Sequence, residues 1–171
     1  MADFCLKEKI TAASLFALGY NYSVPLDKWH ISDMAADYVF VGNHDVNFEV
    51  PGTLGIICNY KKWLTHKKGY PFLTINDYLD ETELSKKLNV VYVCLSELSK
   101  ELYDKLKGDK TAILMIDTYN ENGLAEQRKL FTELMNNNIK TPVIIGRAYG
   151  NLLEEQLQLS ASSDFGALLL D

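Results

Sequence analysis

Four residues that follow apolar runs have side chains that could do chemistry. Asp117, Arg147, His44 and Ser96 each come after a run that predicts a β-strand. Parallel α/β folds carry their sites at the carboxyl ends of strands, and an acid beside a guanidinium suits a small phosphorylated ligand. The same positions also suit turns, helix N-caps and a structural ion pair. We therefore treat the four as ligand candidates and keep both interpretations open.

The familiar catalytic and binding motifs do not occur in the sequence. There is no GxGxxG or GxxxxGK[ST] phosphate loop and no GxSxG nucleophile elbow. The three histidines lack the spacing of zinc ligands, and Cys5, Cys58 and Cys94 are too far apart for a CxxC site. The sequence accordingly predicts no catalytic residue, no cofactor-binding residue and no metal ligand.

The composition argues against several classes of function. The formal net charge is −6 and the pI about 5.1, which disfavours a nucleic-acid partner because phosphate contacts need clustered Lys and Arg. No run approaches the roughly 18 apolar residues that span a bilayer, so we expect no membrane partner. The odd number of scattered cysteines indicates no disulfide framework and favours the cytoplasm.

Short apolar runs alternate with helical patterns along most of the chain. Several runs are continuously apolar, which is typical of strands covered on both faces, and strand–helix–strand repeats with short connections indicate parallel strands. The predicted fold is α/β and TIM-barrel-like, degenerate or incomplete, with about seven mostly parallel strands and flanking helices. The predicted strands are residues 37–42, 53–59, 70–75, 90–95, 111–117, 142–146 and 166–170.

Capping residues and leucine spacing predict the helix boundaries. A first helix is expected to begin after Asp3 and to end at Gly19. Asp80 and Glu83 have the spacing of a capping box, and Ser96 is placed to cap the next helix. Two further helices are predicted at residues 121–137 and from Asn151.

We expect residues 1–171 to form a single domain, because no linker, low-complexity segment or close repeat interrupts the chain. The predicted last strand, residues 166–170, is followed directly by Asp171. In α/β folds a functional loop follows the carboxyl end of such a strand. The sequence is therefore expected to be part of a longer protein.

Six segments, in their order and spacing, resemble a known family over nearly the whole chain. They are residues 17–20 (ALGY), 27–29 (DKW), 31–42 (ISDMAADYVFVG), 50–52 (VPG), 141–144 (TPVI) and 163–171 (SDFGALLLD). Together they are similar to the inserted middle domain of hydroxymethylbutenyl diphosphate synthases, in the three-domain form of plants and Bacteroidetes-type bacteria. In that family a glycine-rich turn follows the closing strand, which agrees with an expected continuation beyond Asp171.

The resemblance implies an activity for the parent enzyme and not for this segment. The full synthase is an iron–sulfur oxidoreductase of the methylerythritol phosphate route to isoprenoids, or terpenoids, and reductively opens methylerythritol cyclodiphosphate. Its N-terminal TIM barrel binds the substrate, and its C-terminal domain holds the cluster through three Cys and a Glu. The insert is implied to be barrel-like and architectural. No catalytic or cluster-binding residue transfers to this sequence, so no cofactor is expected within it.

Two hypotheses of different classes follow. In the first, the chain is a non-catalytic insert whose partners are the catalytic barrel and the iron–sulfur domain of the same enzyme. Alone, it would be inactive and could self-associate through an exposed apolar patch. In the second, it is a stand-alone phosphate-binding barrel or small enzyme that uses Asp117 and Arg147 with His44 or Ser96. Regulation of the parent enzyme through a ligand of the insert's own is a third interpretation.

Overall fold

A computed structural model describes residues 1–7, 9–80, 83–150 and 152–170 of the chain. The chain divides into two compact units, Met1–Phe72 and Leu73–Asp171. The expectation of a single domain over residues 1–171 stays a prediction. In the part of the chain that the structure describes, no helix is long and apolar enough to cross a lipid bilayer.

Parallel strands form the centre of the first unit. Val39 lies opposite Ala2 on one side and opposite Ile56 on the other, in two parallel ladders. The side chains of Val39 and Ile57 are buried, which explains why these strands read as continuous apolar runs. The strands of this unit, in chain order, are β1 (Ala2–Asp3), β2 (Tyr20–Ser23), β3 (Lys28–Ile31), β4 (Tyr38–Phe40), β5 (Gly55–Asn59) and β6 (Tyr70–Leu73), whose last residue belongs to the second unit.

The N-terminal region differs from the sequence prediction. The expected first helix is confined to a 3-10 helix, Ala12–Leu18, while residues near Asp3 form β1 and pair with β4. The predicted end at Gly19 is correct, because this residue closes the helix with φ of 85°, a left-handed conformation that favours glycine. The antiparallel hairpin of β2 and β3 that follows was not predicted.

A short helix, α1 (Tyr60–His66), follows β5 directly and leads to β6. Tyr60 and Trp63 are buried on its inner face, and the indole nitrogen of Trp63 donates to the Gly69 carbonyl over 3.2 Å. The helix ends at Lys67, which has φ of 52°. This strand–helix–strand step is the unit from which parallel α/β folds are built.

The second unit continues the same alternation. Its strands β7 (Asn89–Val93), β8 (Ala112–Ile116) and β9 (Val143–Ile145) are parallel, with Leu114 opposite Val91 and Val143. Leu102, Leu106 and Leu134 of the flanking helices are buried, as their spacing predicts, and Leu130 is buried as well. The helices are α2 (Ile75–Leu79), α3 (Lys100–Gly108), α4 (Gly123–Asn136) and α5 (Glu154–Leu170).

The predicted strand at residues 166–170 is wrong, because these residues form the last turns of α5. A continuous apolar run fits a buried strand and a helix equally well, so its composition alone does not decide between them. Leu and Ala are strong helix formers, and the preceding residues from Glu154 already form the helix. The helix therefore continues and satisfies its own backbone hydrogen bonds. Asn151, the predicted start of this helix, and Asp171 lie outside the described residues.

Two predicted helix starts are also displaced. The helix lies before Asp80 and not after it, because α2 has its capping box at Thr74 and Asp77 and ends at Asp80, while residues 83–88 are not helical. Ser96 lies in a 3-10 turn, Leu95–Glu97, and the oxygen that caps α3 is that of Ser99, which accepts from Leu102 N over 3.2 Å. In both cases a neighbouring Ser or Thr offers the same chemistry at a better position.

The predicted α/β class is confirmed. Among the described residues, seven strands have parallel neighbours, and helices follow most of them, as in a degenerate TIM-barrel-like fold. The seven are not the predicted set, since β1 takes the place of the strand predicted at residues 166–170.

Candidate functional site

Arg147 follows β9 in the second unit, and its guanidinium binds to the backbone of the loop at residues 118–121. It donates to the carbonyl oxygens of Thr118 over 3.0 Å, Asn120 over 2.6 Å and Glu121 over 3.3 Å. Gly123 lies against the same guanidinium, and a Cβ at Gly123 would come within 2.8 Å of Arg147 Cζ. The glycine at the start of α4 thus allows the cation to approach the loop closely.

The acid partner of Arg147 is Asp164 of α5, which the sequence analysis did not identify. Arg147 Nε lies 3.2 Å from Asp164 Oδ2, an ion pair whose angle is not that of a hydrogen bond, and both side chains are largely buried. The Tyr149 hydroxyl donates to the same oxygen over 2.7 Å. Burial and this bond to Asp164 raise the pKa of Tyr149 to about 12. Arg147, Tyr149 and Asp164 therefore form a cluster that attaches α5 to the end of β9.

Asp117 follows β8 in the same unit, and its carboxylate binds different groups. Its Oδ1 accepts from Thr118 N over 2.7 Å, and its Oδ2 accepts from the Tyr92 hydroxyl over 3.4 Å. The Tyr92 oxygen also lies 3.4 Å from the oxygen of Tyr119, whose ring is exposed. Burial, followed by the bond to Tyr119, raises the pKa of Tyr92 well above its usual range. Asp117 and Arg147 thus both contact the loop at residues 118–121, but the carboxylate and the guanidinium bind different partners.

His44 lies in the first unit, in the loop after β4, beside a lysine of helix α1. His44 Nε2 is 3.0 Å from the Cys5 carbonyl oxygen. Lys62 of α1 donates to the carbonyls of His44 and of Asn43, the latter over 3.1 Å, and forms an ion pair of 2.9 Å with Asp45. Lys62 also lowers the pKa of Asp45 below its usual range. The lysine therefore holds the loop after β4 against α1.

Ser96, the fourth candidate, is exposed in the 3-10 turn after β7. Its neighbour Glu97 accepts from Cys94 N over 2.7 Å and so closes this turn. The structure brings Asp117 and Arg147 to one loop of the second unit and places His44 in the first unit. Ligand binding by Asp117, Arg147, His44 or Ser96 stays a prediction.

The three cysteines could ligate a metal or a cluster only as thiolates. Cys5, Cys58 and Cys94 are free thiols, and burial raises the pKa of Cys58 and Cys94. A raised pKa favours the protonated thiol, whereas metals and iron–sulfur clusters bind the thiolate. Across residues 1–7, 9–80, 83–150 and 152–170, no three His, Cys, Asp or Glu side chains lie together in a way that could hold a metal ion. The described residues do not fit an iron–sulfur cluster.

Comparison with known proteins gives relatives of a single kind. The chain is 25% identical over 135 residues to the 4-hydroxy-3-methylbut-2-en-1-yl diphosphate synthase (flavodoxin) of Parabacteroides distasonis, a match that covers 79% of this chain and 22% of that protein. It is 24% identical over 136 residues to the synthase of the same name from Phocaeicola vulgatus, with the same coverage of the two chains. The Bacteroides fragilis synthase is 24% identical over 135 residues, covering 79% of this chain and 21% of that protein.

The three relatives are much longer than the matched segment, because this chain spans only 21% to 22% of their length. No family model matches the chain, and no solved structure matches it significantly. The resemblance read from the sequence segments is nevertheless confirmed by the curated relatives. The chain is similar to one segment of the 4-hydroxy-3-methylbut-2-en-1-yl diphosphate synthases (flavodoxin) of these three bacteria.

Proposed function

We propose that this chain serves as the non-catalytic inserted domain of such a synthase and positions the iron–sulfur domain against the catalytic barrel. The proposal rests on how much of each chain the match covers. It covers 79% of this chain but only 22% of the Parabacteroides distasonis synthase, as expected if this chain corresponds to one domain of such a protein. The parent would be an oxidoreductase of isoprenoid biosynthesis that reductively opens methylerythritol cyclodiphosphate. Its cluster would be held by its own C-terminal domain, outside this chain.

The polar groups at the strand ends support an architectural role. Arg147 donates to three backbone carbonyls and pairs with Asp164, and Lys62 donates to two carbonyls and pairs with Asp45. Charged groups bound in this way hold loops and helices in place. The free thiols of the three cysteines agree with the proposed cytoplasmic location of the parent enzyme.

The competing hypothesis is a phosphate site at Asp117 and Arg147. A phosphate bound by Arg147 would have to replace hydrogen bonds that this side chain already makes to the loop at residues 118–121. The loop would then lose the donors that hold it, which offsets the gain from the new charge pair. The architectural proposal therefore has the better geometric support.

Three assays of the purified chain test the proposal. Anaerobic incubation with iron and sulfide is expected to give no visible thiolate-to-iron absorbance, and incubation with methylerythritol cyclodiphosphate and a reductant is expected to give no product. A thermal-shift titration with inorganic pyrophosphate should leave the melting temperature unchanged, because we expect no binding. A ligand that bound only the native state would raise the melting temperature. Cluster formation or turnover by this chain alone would contradict the proposal.

The pyrophosphate titration needs two variants if a shift is seen. A shift that disappears in Arg147→Ala and in Asp117→Ala, each compared with its own melting temperature without ligand, would establish the phosphate site instead. A shift that persists in both variants would exclude these residues and leave the architectural proposal in place. Since Arg147→Ala is expected to be less stable, Asp117→Ala provides the second, independent readout.

A further inference from the structure

The hairpin of β2 and β3 has one apolar face and one polar face. Tyr22 lies opposite Trp29 and Tyr20 opposite Ile31, and these pairs share a face because paired residues of an antiparallel ladder project to the same side. The rings of Tyr22 and Trp29 are 5.1 Å apart. The opposite face carries Asn21, Ser23, Lys28 and His30.

The apolar face is only partly covered, because Tyr20 is buried while Ile31, opposite it, is 49% exposed. Tyr20 is 2% exposed, and its hydroxyl donates to the Ala36 carbonyl over 2.9 Å. Tyr22, two residues further along the same strand, is 38% exposed, and its hydroxyl donates to Asp27 within the hairpin itself. A two-stranded hairpin is marginally stable unless its apolar face is packed, so the exposed side chains of this face, Tyr22 and Ile31, are available to a packing partner.

The tip of the hairpin carries two more exposed apolar side chains. It is a 3-10 turn, Val24–Leu26, in which Val24 is 77% and Leu26 is 60% exposed. Turns at hairpin ends usually carry Gly, Asn, Asp or Ser, because these residues suit the backbone and are well solvated. Here Pro25 restricts the backbone of the turn and presents two aliphatic side chains to solvent. We define the docking tip as Tyr22, Val24, Leu26 and Ile31.

The size of the docking tip decides between two kinds of partner. Its four residues expose roughly 400 Å² in total, a patch of the size that is often functional on monomers. A stable complex of two free proteins buries about 800 Å² on each partner, so this surface alone is too small to hold a second copy. A domain joined covalently to the chain needs less area, since its effective concentration is high.

The exposed leucines of α5 form a weaker candidate surface. Leu157, Leu159 and Leu169 are exposed, but the spacing of two residues places Leu157 and Leu159 on opposite sides of the helix. These leucines do not combine into one face. They therefore serve as a control for exposed apolar residues in general.

We propose that the docking tip packs into an apolar groove on another domain of the same polypeptide. This inference rests on the proposed function, because the partner is taken to be part of the synthase that lies outside the matched segment. The curated relatives contain such additional chain, since the match covers 22% of the Parabacteroides distasonis synthase. The polar face, with Asn21 and His30 exposed, would remain in solvent.

The test uses a full-length chimera in which this chain replaces the matched segment of the Parabacteroides distasonis synthase. Hydroxyl-radical footprinting compares the docking tip in the isolated chain and in the chimera, and turnover is measured in parallel. We expect at least a fivefold lower labelling of Val24 and Leu26 in the chimera. Tyr20 should be weakly labelled in both proteins.

Three variant pairs of the chimera complete the test. Val24→Glu with Leu26→Glu should restore the labelling of Tyr22 and Trp29 and lower turnover at least tenfold. Asn21→Glu with His30→Glu, on the polar face, and Leu159→Glu with Leu169→Glu, on α5, should leave both readouts unchanged. Because all six positions are exposed, the melting temperature of the isolated chain should stay the same in each variant.

The outcomes separate the two proposals. An active chimera with a docking tip labelled as strongly as in the isolated chain would overturn the docking inference and leave the proposed function intact. An inactive chimera with an intact cluster would contradict the proposed function, and the docking inference with it. Concentration-dependent dimers of the isolated chain that protect Val24 and Leu26 would identify a second copy as the partner and would also overturn the inference.

Discussion

Arg147 in the second unit and Lys62 in the first are both cations that bind backbone carbonyls after a strand, but their acid partners differ. Asp164, beside Arg147, is largely buried and also accepts from Tyr149. Asp45, beside Lys62, is mostly exposed to solvent. Water screens the second pair and not the first, so the same arrangement should contribute much more stability around Arg147.

The largest effect is expected for Arg147→Met. This change removes the donors to residues 118–121 and leaves the Asp164 carboxylate without its cation in a largely buried place. Breaking such a pair costs about 4 kcal/mol of unfolding free energy. Urea denaturation followed by circular dichroism measures the loss, with Lys129→Met on the exposed side of α4 as the control. A loss no greater than that of the control would contradict the structural role of Arg147.

A smaller effect is expected for Lys62→Met. The amine donates to the carbonyls of Asn43 and His44, and hydrogen bonds from a charged donor contribute about 2 kcal/mol in such places. The same denaturation experiment, with exposed Lys61→Met as the matched control, gives the value. If Lys62→Met destabilises the chain as much as Arg147→Met, the exposure of the acid partner does not determine how much stability the cation contributes. That result would contradict the difference expected between the two pairs.

Tyr149→Phe sharpens the comparison through pH. The folded-state pKa of Tyr149 is raised to about 12, above its unfolded value of about 10, so the bond of its hydroxyl to Asp164 stabilises the fold below pH 10. That contribution, about 1 kcal/mol, should disappear as the pH rises from about 10 to 12. Unfolding free energies of both proteins across this range measure it. A wild-type advantage that persists above pH 12 would contradict the assignment.

The smallest effect concerns the titration of Asp45. Lys62 holds the pKa of this carboxyl below its usual range, so the stabilisation is present above the unfolded pKa and is lost as the pH falls through the folded pKa. Carboxyl chemical shifts should show a lowered pKa for Asp45 in the wild type and an ordinary one in Lys62→Met. Equal pKa values in the two proteins would mean that the ion pair does not persist in solution.

The sequence was sufficient for six of the seven described parallel strands, β4 to β9, and for the helix at residues 121–137. Strands such as β8 and helices such as α4 have strong local patterns, and their packing agrees with those patterns. The strand prediction for residues 166–170 was wrong because a continuous apolar run shows no alternation with polar residues. Without that alternation, its periodicity does not distinguish a strand from a helix. The hairpin of β2 and β3 was missed because its turn, Val24–Leu26, lacks the usual Asn-Gly or Asp-Gly signal.

The polar clusters were predicted only in part. Arg147 could be recognised from its place after a strand. Its partner Asp164 is 17 residues further along the chain and does not follow a predicted strand, so it was not recognised as a candidate. Lys62 lay in a lysine-rich stretch, and only the fold shows that it faces the loop after β4 while its neighbour Lys61 is exposed. Which member of a run of like residues is buried depends on tertiary contacts that no local pattern encodes.

Turnover by the Parabacteroides distasonis synthase tests the central claim most directly when the matched segment is either deleted or replaced by this chain. An architectural insert should be required, so the deletion is expected to lose at least a hundredfold in turnover while its cluster absorbance stays intact. Replacement by this chain should recover most of that activity. A deletion variant as active as the parent, or a replacement as inactive as the deletion, would contradict the account.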